Sequence, residues 1–102
     1  MEAWEREILE NVLKDKTRGS KYNIGFALKE KEAVVLARAL HLPKKLVRDI
    51  EWETTRITNQ SQKILMDFVL ERRTFFQFIN AMYSVGLQQY AIKLKGRTLI
   101  EL

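Results

Sequence analysis

KEKEAVVLARALHLPKKLVRDIE, residues 29–51, reads as one helix, a tight corner at Pro43 and a second helix. Val35, Leu36 and Leu40, then Leu42, Leu46 and Ile50, recur near every third and fourth position, the period of a helix with one buried face. Pro43 suits the first turn of the second helix, where its missing N–H removes no intrahelical bond. Lysine and arginine fill the opposite faces. The stretch packs and presents charge, and it carries no reactive side chain. Three classes of function stay open at this point: enzyme, nucleic-acid binder and protein-interaction module.

Outward from this stretch the same period continues. Upstream, residues 2–15 form a first helix, with Trp4, Ile8, Leu9, Val12 and Leu13 on one stripe. Glu2, Glu5, Glu7 and Glu10 crowd its start, and Lys14 and Lys16 its end, as the helix dipole favours. Residues 16–22, KTRGSKY, read as a loop, with Gly19 able to end the helix. Asn23 can cap a turn that carries Ile24, Phe26 and Leu28 inward, either joined to the next helix or separate from it. Helix two then runs to about Leu40, and helix three from Pro43 to about Glu53.

Downstream, TTRIT (54–58) is a β-branched, polar connector. Asn59 with Gln62 caps helix four, 60–72, whose buried stripe is Ile64, Leu65, Phe68 and Val69. Arg72 and Arg73 mark a corner. Thr74 with Gln77 makes a capping box that opens helix five, and Phe75, Phe78, Ile79 and Met82 face inward there. Gly86 stops helix five, with Leu87 making the apolar contact that follows a glycine C-cap. Helix six, 87–95, buries Leu87, Tyr90, Ala91 and Leu94, and Gly96 ends it. No stretch alternates with period two for long enough to form a strand. The expectation is an all-α domain of six short helices, antiparallel because their connections are brief.

Composition narrows the function. The chain has 102 residues, one domain's worth. Apolar residues make up 46%, enough for a modest core, and charged residues 30%, enough to solvate the surface. Cysteine is absent, which excludes disulfides and thiolate metal sites and fits a reducing, cytoplasmic setting. The net charge of +5 permits an anionic partner. No apolar run approaches the roughly 18 residues of a membrane span, and the acidic start, MEAWEREILE, is unlike a signal peptide.

Catalysis needs a base, a nucleophile or a metal in a constellation. His41 is the sole histidine and sits at a helix–helix corner. It has no second metal ligand at helical spacing. Ser20 and Ser84 stand in no nucleophile motif, and the glycines form no phosphate loop. Asn59-Gln60-Ser61 matches a glycosylation acceptor, but the helix-cap reading suits a cysteine-free chain better. No enzyme, cofactor or metal is expected. The bases at Lys44, Lys45 and Arg48, and at Lys93, Lys95 and Arg97, admit a nucleic-acid alternative. Against it, Asp49, Glu51 and Glu53 on helix three would meet phosphates with the wrong sign.

LARALHLPKKLVRDIE (36–51) resembles the death-domain pattern "LAR-x-LGL-x-x-x-x-(I/V)-x-x-IE" across that family's second and third helices, with His41 standing where glycine is usual. QSQKILMDFVLERRTFFQFINAMYSVGLQQYAIKL (60–94) resembles the family's closing helices: a Gln-rich start, a "LL-x-x-W" core helix with Phe68 near the usual Trp, a Thr-initiated helix, then "VGL-x-x-x-A-x-x-L". The order and spacing of these motifs carry the resemblance over about two thirds of the chain; the first 28 residues do not contribute. A caspase-recruitment domain, from the same superfamily, is the nearest rival. The resemblance implies a six-helix antiparallel bundle of Greek-key topology, the death fold, without enzymatic activity. It implies an adaptor, of the Fas-associated type in the favoured subclass, that docks onto other death-fold domains in apoptotic or innate immune signalling, with homo-oligomers as a further outcome. The surfaces it implies are a basic one, Arg38, Lys44, Lys45 and Arg48; an acidic one, Glu2, Glu5 and Glu10 with Asp67 and Glu71; and two corners, Arg72 with Arg73 and Gln88 with Gln89. Head-to-tail assembly needs such paired, complementary patches on one molecule.

Overall fold

A computed structural model describes residues 1–10, 28–56 and 60–101, with side chains through residue 95. These residues form six helices and no strand: α1 (Ala3–Glu10), α2 (Glu30–Ala39), α3 (Lys44–Thr54), α4 (Gln60–Arg72), α5 (Phe75–Ser84) and α6 (Gln88–Glu101). The remainder of the first helix, the loop with Gly19, the turn at Asn23 and the cap at Asn59 lie outside the described residues.

α4 is the central rod. It packs on α1, α2 and α3, and its contact with α3 is the most extensive among the described helices. α2 reaches α3, α4 and α5, and α5 holds α6. Neighbours on three sides explain why α4 departs from the single stripe expected of it. Leu65 and Val69 are buried as expected, but so are Met66, Ser61 and Gln62, while Ile64 and Phe68 are only half-buried. A helix with apolar residues on most of its circumference belongs in an interior. The buried polar pair is satisfied: Gln62 Nε2 donates to the Leu28 carbonyl at 3.1 Å, and Ser61 Oγ donates to Gln62 Oε1 at 3.2 Å.

The inner face of α5 falls where the spacing placed it, and that of α6 does so in part, since Leu87 and Tyr90, expected inside, are only half-buried against the core. Phe75, Phe78, Ile79 and Met82 are buried, as are Ala91 and Leu94. Ile8 and Leu9 of α1 are buried, and Trp4 leans on Phe75 with ring centroids 6.0 Å apart. On α2 the inward residues are Ala33, Leu36, Ala37 and Leu40; Val35, expected inside, is exposed, because it stands one residue off that stripe.

Helix ends are set by local bonds. The Thr74–Gln77 box forms in both directions, at 3.0 and 2.9 Å. Glu32 reaches back to the Lys29 N–H at 2.8 Å, and Glu5 to the Glu2 N–H at 2.7 Å. α5 is closed off past Ser84 by Gly86, whose φ of +83° puts it in the left-handed region; Leu87 N–H then donates to Met82 O at 2.8 Å. Pro43 sits one residue earlier than expected, as the N-cap of α3 with φ −53° and ψ 145°. α6 does not stop at Gly96 but runs on to Glu101. A glycine inside a helix costs about 1 kcal/mol against alanine, a penalty that neighbouring turns can outweigh.

Candidate protein-docking surface

The α2–α3 corner is built from backbone outward. α2 ends with Leu42 N–H donating to Ala37 O and His41 N–H to Arg38 O, both at 3.1 Å. This double bond pattern requires a left-handed residue at its turn, and His41 supplies it with φ +57°. Leu42 then drops into the core, Pro43 extends the chain, and α3 begins.

Arg73 locks this corner from below. Its Nε and Nη2 donate to the Leu40 carbonyl at 3.0 and 2.9 Å, Nη2 also reaches the His41 carbonyl at 3.3 Å, and Nη1 donates to Arg72 O at 2.9 Å. The guanidinium lies 4.9 Å from the centre of the Phe68 ring. A cation at the C-terminus of α2 meets the negative end of that helix. Arg73 therefore ties the α4–α5 corner to the α2–α3 corner, with its guanidinium engaged in the seam between them.

α3 presents the basic surface. Lys44, Lys45 and Arg48 are all exposed, and no other described residue pairs with them. Two lysines in the first turn, with no acid there, oppose the positive end of the α3 dipole. Helix stability therefore does not account for their placement. The acids of α3 stand on the flanks rather than among these bases. Glu51 accepts from Arg38 at 2.7 Å, an exposed pair that contributes about 1 kcal/mol or less. Ile50 marks the inward side, and the side opposite it carries Lys44, Lys45, Arg48, Trp52 and, past the helix end, Arg56. Trp52 is 63% exposed. It was not among the expected surface residues, although the spacing Lys45, Arg48, Trp52, Arg56 is visible on a helical projection.

Two hollows, open to solvent, flank His41. One, of about 300 Å³, runs between the α2 end and α5, bounded by Leu40, Arg73, Gln77 and Asn80. The other, of about 500 Å³, lies between α2 and α3; Leu42 and Val47 form its floor, and Arg38, Lys44 and Arg48 its rim. Glu51, held by Arg38, is the one carboxylate lining either. Among the described residues no three histidine or acidic side chains gather as a metal site would require.

The other expected surface residues are distributed as follows. Glu2, Glu5 and Glu10 are exposed or half-buried on or beside α1, with Glu5 engaged in its cap. Asp67 and Glu71 are exposed on α4, which packs on α1. Arg6 stands within this acidic set and donates to the Leu70 carbonyl at 3.0 Å, clasping the two helices. Arg72, Gln88 and Gln89 are exposed at their corners. Across the molecule, Tyr90 O–H donates to Glu32 Oε1 at 3.1 Å. Burial, then this bond and the charge of Glu32, push the Tyr90 phenol above its usual value of 10.0.

No helix among the described residues is long and apolar enough to cross a membrane. Set against models of known protein families, curated proteins and solved structures, the chain matches none of them.

Proposed function

We propose that this chain is a non-enzymatic adaptor module of the death-domain type, which acts in the cytoplasm by docking onto other death-fold domains in apoptotic or innate immune signalling. One observation carries it: the α2–α3 corner, where the residues of the motif form a braced turn and leave Lys44, Lys45 and Arg48 unpaired on an exposed helix among the described residues. Cations that oppose their own helix dipole and lack partners favour a complementary acidic surface. The Greek-key arrangement of the helices belongs to the same proposal, as does the opposing acidic set on α1 and α4.

The test is charge reversal. The double variant Lys44→Glu, Lys45→Glu, and separately Arg72→Glu, should abolish capture of death-domain partners while leaving helical circular dichroism and melting unchanged. Capture at wild-type strength by these folded variants rules out the assignment. Arg73 is unsuitable for this purpose, since its guanidinium braces the fold.

The sorting of charge on α3 favours one other reading, duplex nucleic-acid binding, because the acids stand at the flanks of the basic side. It predicts an affinity that falls steeply with salt, with a slope that counts phosphate contacts. Negligible duplex binding at about 150 mM salt removes it.

A further inference from the structure

We infer that the solvent side of α3, together with the hollow beside it, receives an acidic helix from another protein that carries one apolar anchor between its carboxylates. The inference rests on the docking function proposed above and names the chemistry of the partner.

Three observations converge on this occupant. First, the outer side of α3, a helix about 16 Å long, carries cations from Lys44 at its start to Arg56 just past its end. It fits a partner element of comparable length and opposite charge. Second, the hollow is amphipathic: Lys44 and Arg48, unpaired among the described residues, and the Arg38–Glu51 pair rim an apolar floor of Leu42 and Val47. A polyphosphate would use the rim and leave the floor wet. A side chain such as leucine covers the floor, while a carboxylate one turn away reaches Arg48 or Lys44. Third, Arg48 joins the hollow to Trp52, one helical turn further on. An indole 63% exposed beside an arginine combines the two residue types that most often dominate binding energy at protein interfaces.

Among the described residues, a second copy of this chain does not supply that partner. The exposed large apolar side chains of the described residues outside α3 are not set between free carboxylates: Ile92 is next to Lys93, Tyr83 lies beneath the Lys95 ammonium at 5.5 Å, Phe76 follows Arg72 and Arg73, and Val35 stands one turn from Lys31 and Arg38, with the nearby Glu32 held by the Lys29 N–H and the Tyr90 hydroxyl. Met1, beside Glu2, precedes α1 rather than lying on a helix face.

The experiment pans a displayed library of helical peptides of mixed charge against the folded chain. Winners are then counter-screened on Trp52→Ala, Trp52→Gln and the double variant Lys44→Glu, Arg48→Glu, each first shown to melt like the parent. Enriched peptides should carry glutamate or aspartate on both sides of a leucine, isoleucine or phenylalanine at helical spacing. Their affinity should fall at least tenfold on each variant, and the Trp52 indole N–H resonance should shift on binding. Neutral or basic winners, no enrichment, or winners indifferent to Trp52 overturn the inference. So does tighter binding of oligothymidylate or phosphatidylserine vesicles at the same residues, or self-association lost in the same variants. If Lys44→Glu, Lys45→Glu abolishes capture of death-domain partners while Trp52→Ala leaves it intact, the docking function stands and this inference fails; acidic winners without any death-domain capture give the reverse.

Discussion

His41 shows how much one backbone angle can hold. An L-residue in the left-handed region costs on the order of 1–2 kcal/mol, and the end of α2 requires that conformation. At the equivalent place after α5 the chain uses Gly86, where an added Cβ would meet nothing within 4 Å, so the demand there is purely conformational. The resemblance marked His41 as standing where glycine is usual, and its φ of +57° turns that departure into an energetic statement. His41→Gly should stabilise the fold by about 0.5–1 kcal/mol, the strain relieved less the extra freedom glycine gives the unfolded chain. That corresponds to a rise in melting temperature of a few degrees for a domain of this size, about 4–8 °C per kcal/mol. A melting temperature that falls would show that the imidazole makes a contact worth more than the strain. Trp52 belongs to this scale too. Its place as the third member of the spacing Lys45, Arg48, Trp52, Arg56 is visible along the chain, yet hydrophobic periodicity assigns a tryptophan to the interior by default, and only its exposure separates the two.

At the scale of elements, Arg73 decides how two corners hold together. The doublet Arg72-Arg73 reads as a pair of surface charges, but the two diverge: Arg72 stays in solvent while Arg73 crosses to α2. Arg73→Ala should cost about 1.5–3 kcal/mol, because it strips a charged donor from the partly buried Leu40 carbonyl. Arg73→Lys should recover only part of this loss, since an ammonium cannot reproduce the planar fork that reaches Leu40, His41 and Arg72 together. Urea melts of the three proteins check both statements; full rescue by lysine would reduce the clamp to a simple point charge. α4 teaches a related lesson. A one-stripe expectation suits a helix at a surface, whereas α4 has neighbours on three sides, so Met66 and Gln62 are buried on faces that periodicity gave to solvent.

At the scale of the whole molecule, α6 is fastened to α2 by Tyr90 and Glu32, 58 residues apart. The Tyr90 phenol is raised above 10.0 by burial, by its bond to Glu32 and by that carboxylate's charge. The folded chain therefore keeps a proton that the unfolded chain has released. The contribution to stability is complete below pH about 10 and is lost as pH rises through the higher folded value. Tyr90→Phe should flatten that part of the alkaline decline in melting temperature that sets in above about pH 10, and lose some stability at neutral pH where the hydrogen bond is intact. An alkaline profile identical to that of the parent would mean that other tyrosines govern the decline.

Helix number and type, the inner face of α5 and part of that of α6, the Thr74 box and the Gly86 stop could all be read along the chain. Each depends on residues within four or five positions of one another, so spacing and side-chain type suffice. The hidden faces of α4, the grip of Arg73 on α2, the Gln62 amide on Leu28 and the removal of Arg38 from the free cations by Glu51 could not be read that way. Their partners lie 33, 34 and 13 residues distant, and such bonds exist only after the helices have packed. Packing also turned the mixed charges of α3 into a basic side with acids at its edges, because burying Ile50 against α4 fixes which way every other residue of that helix must face.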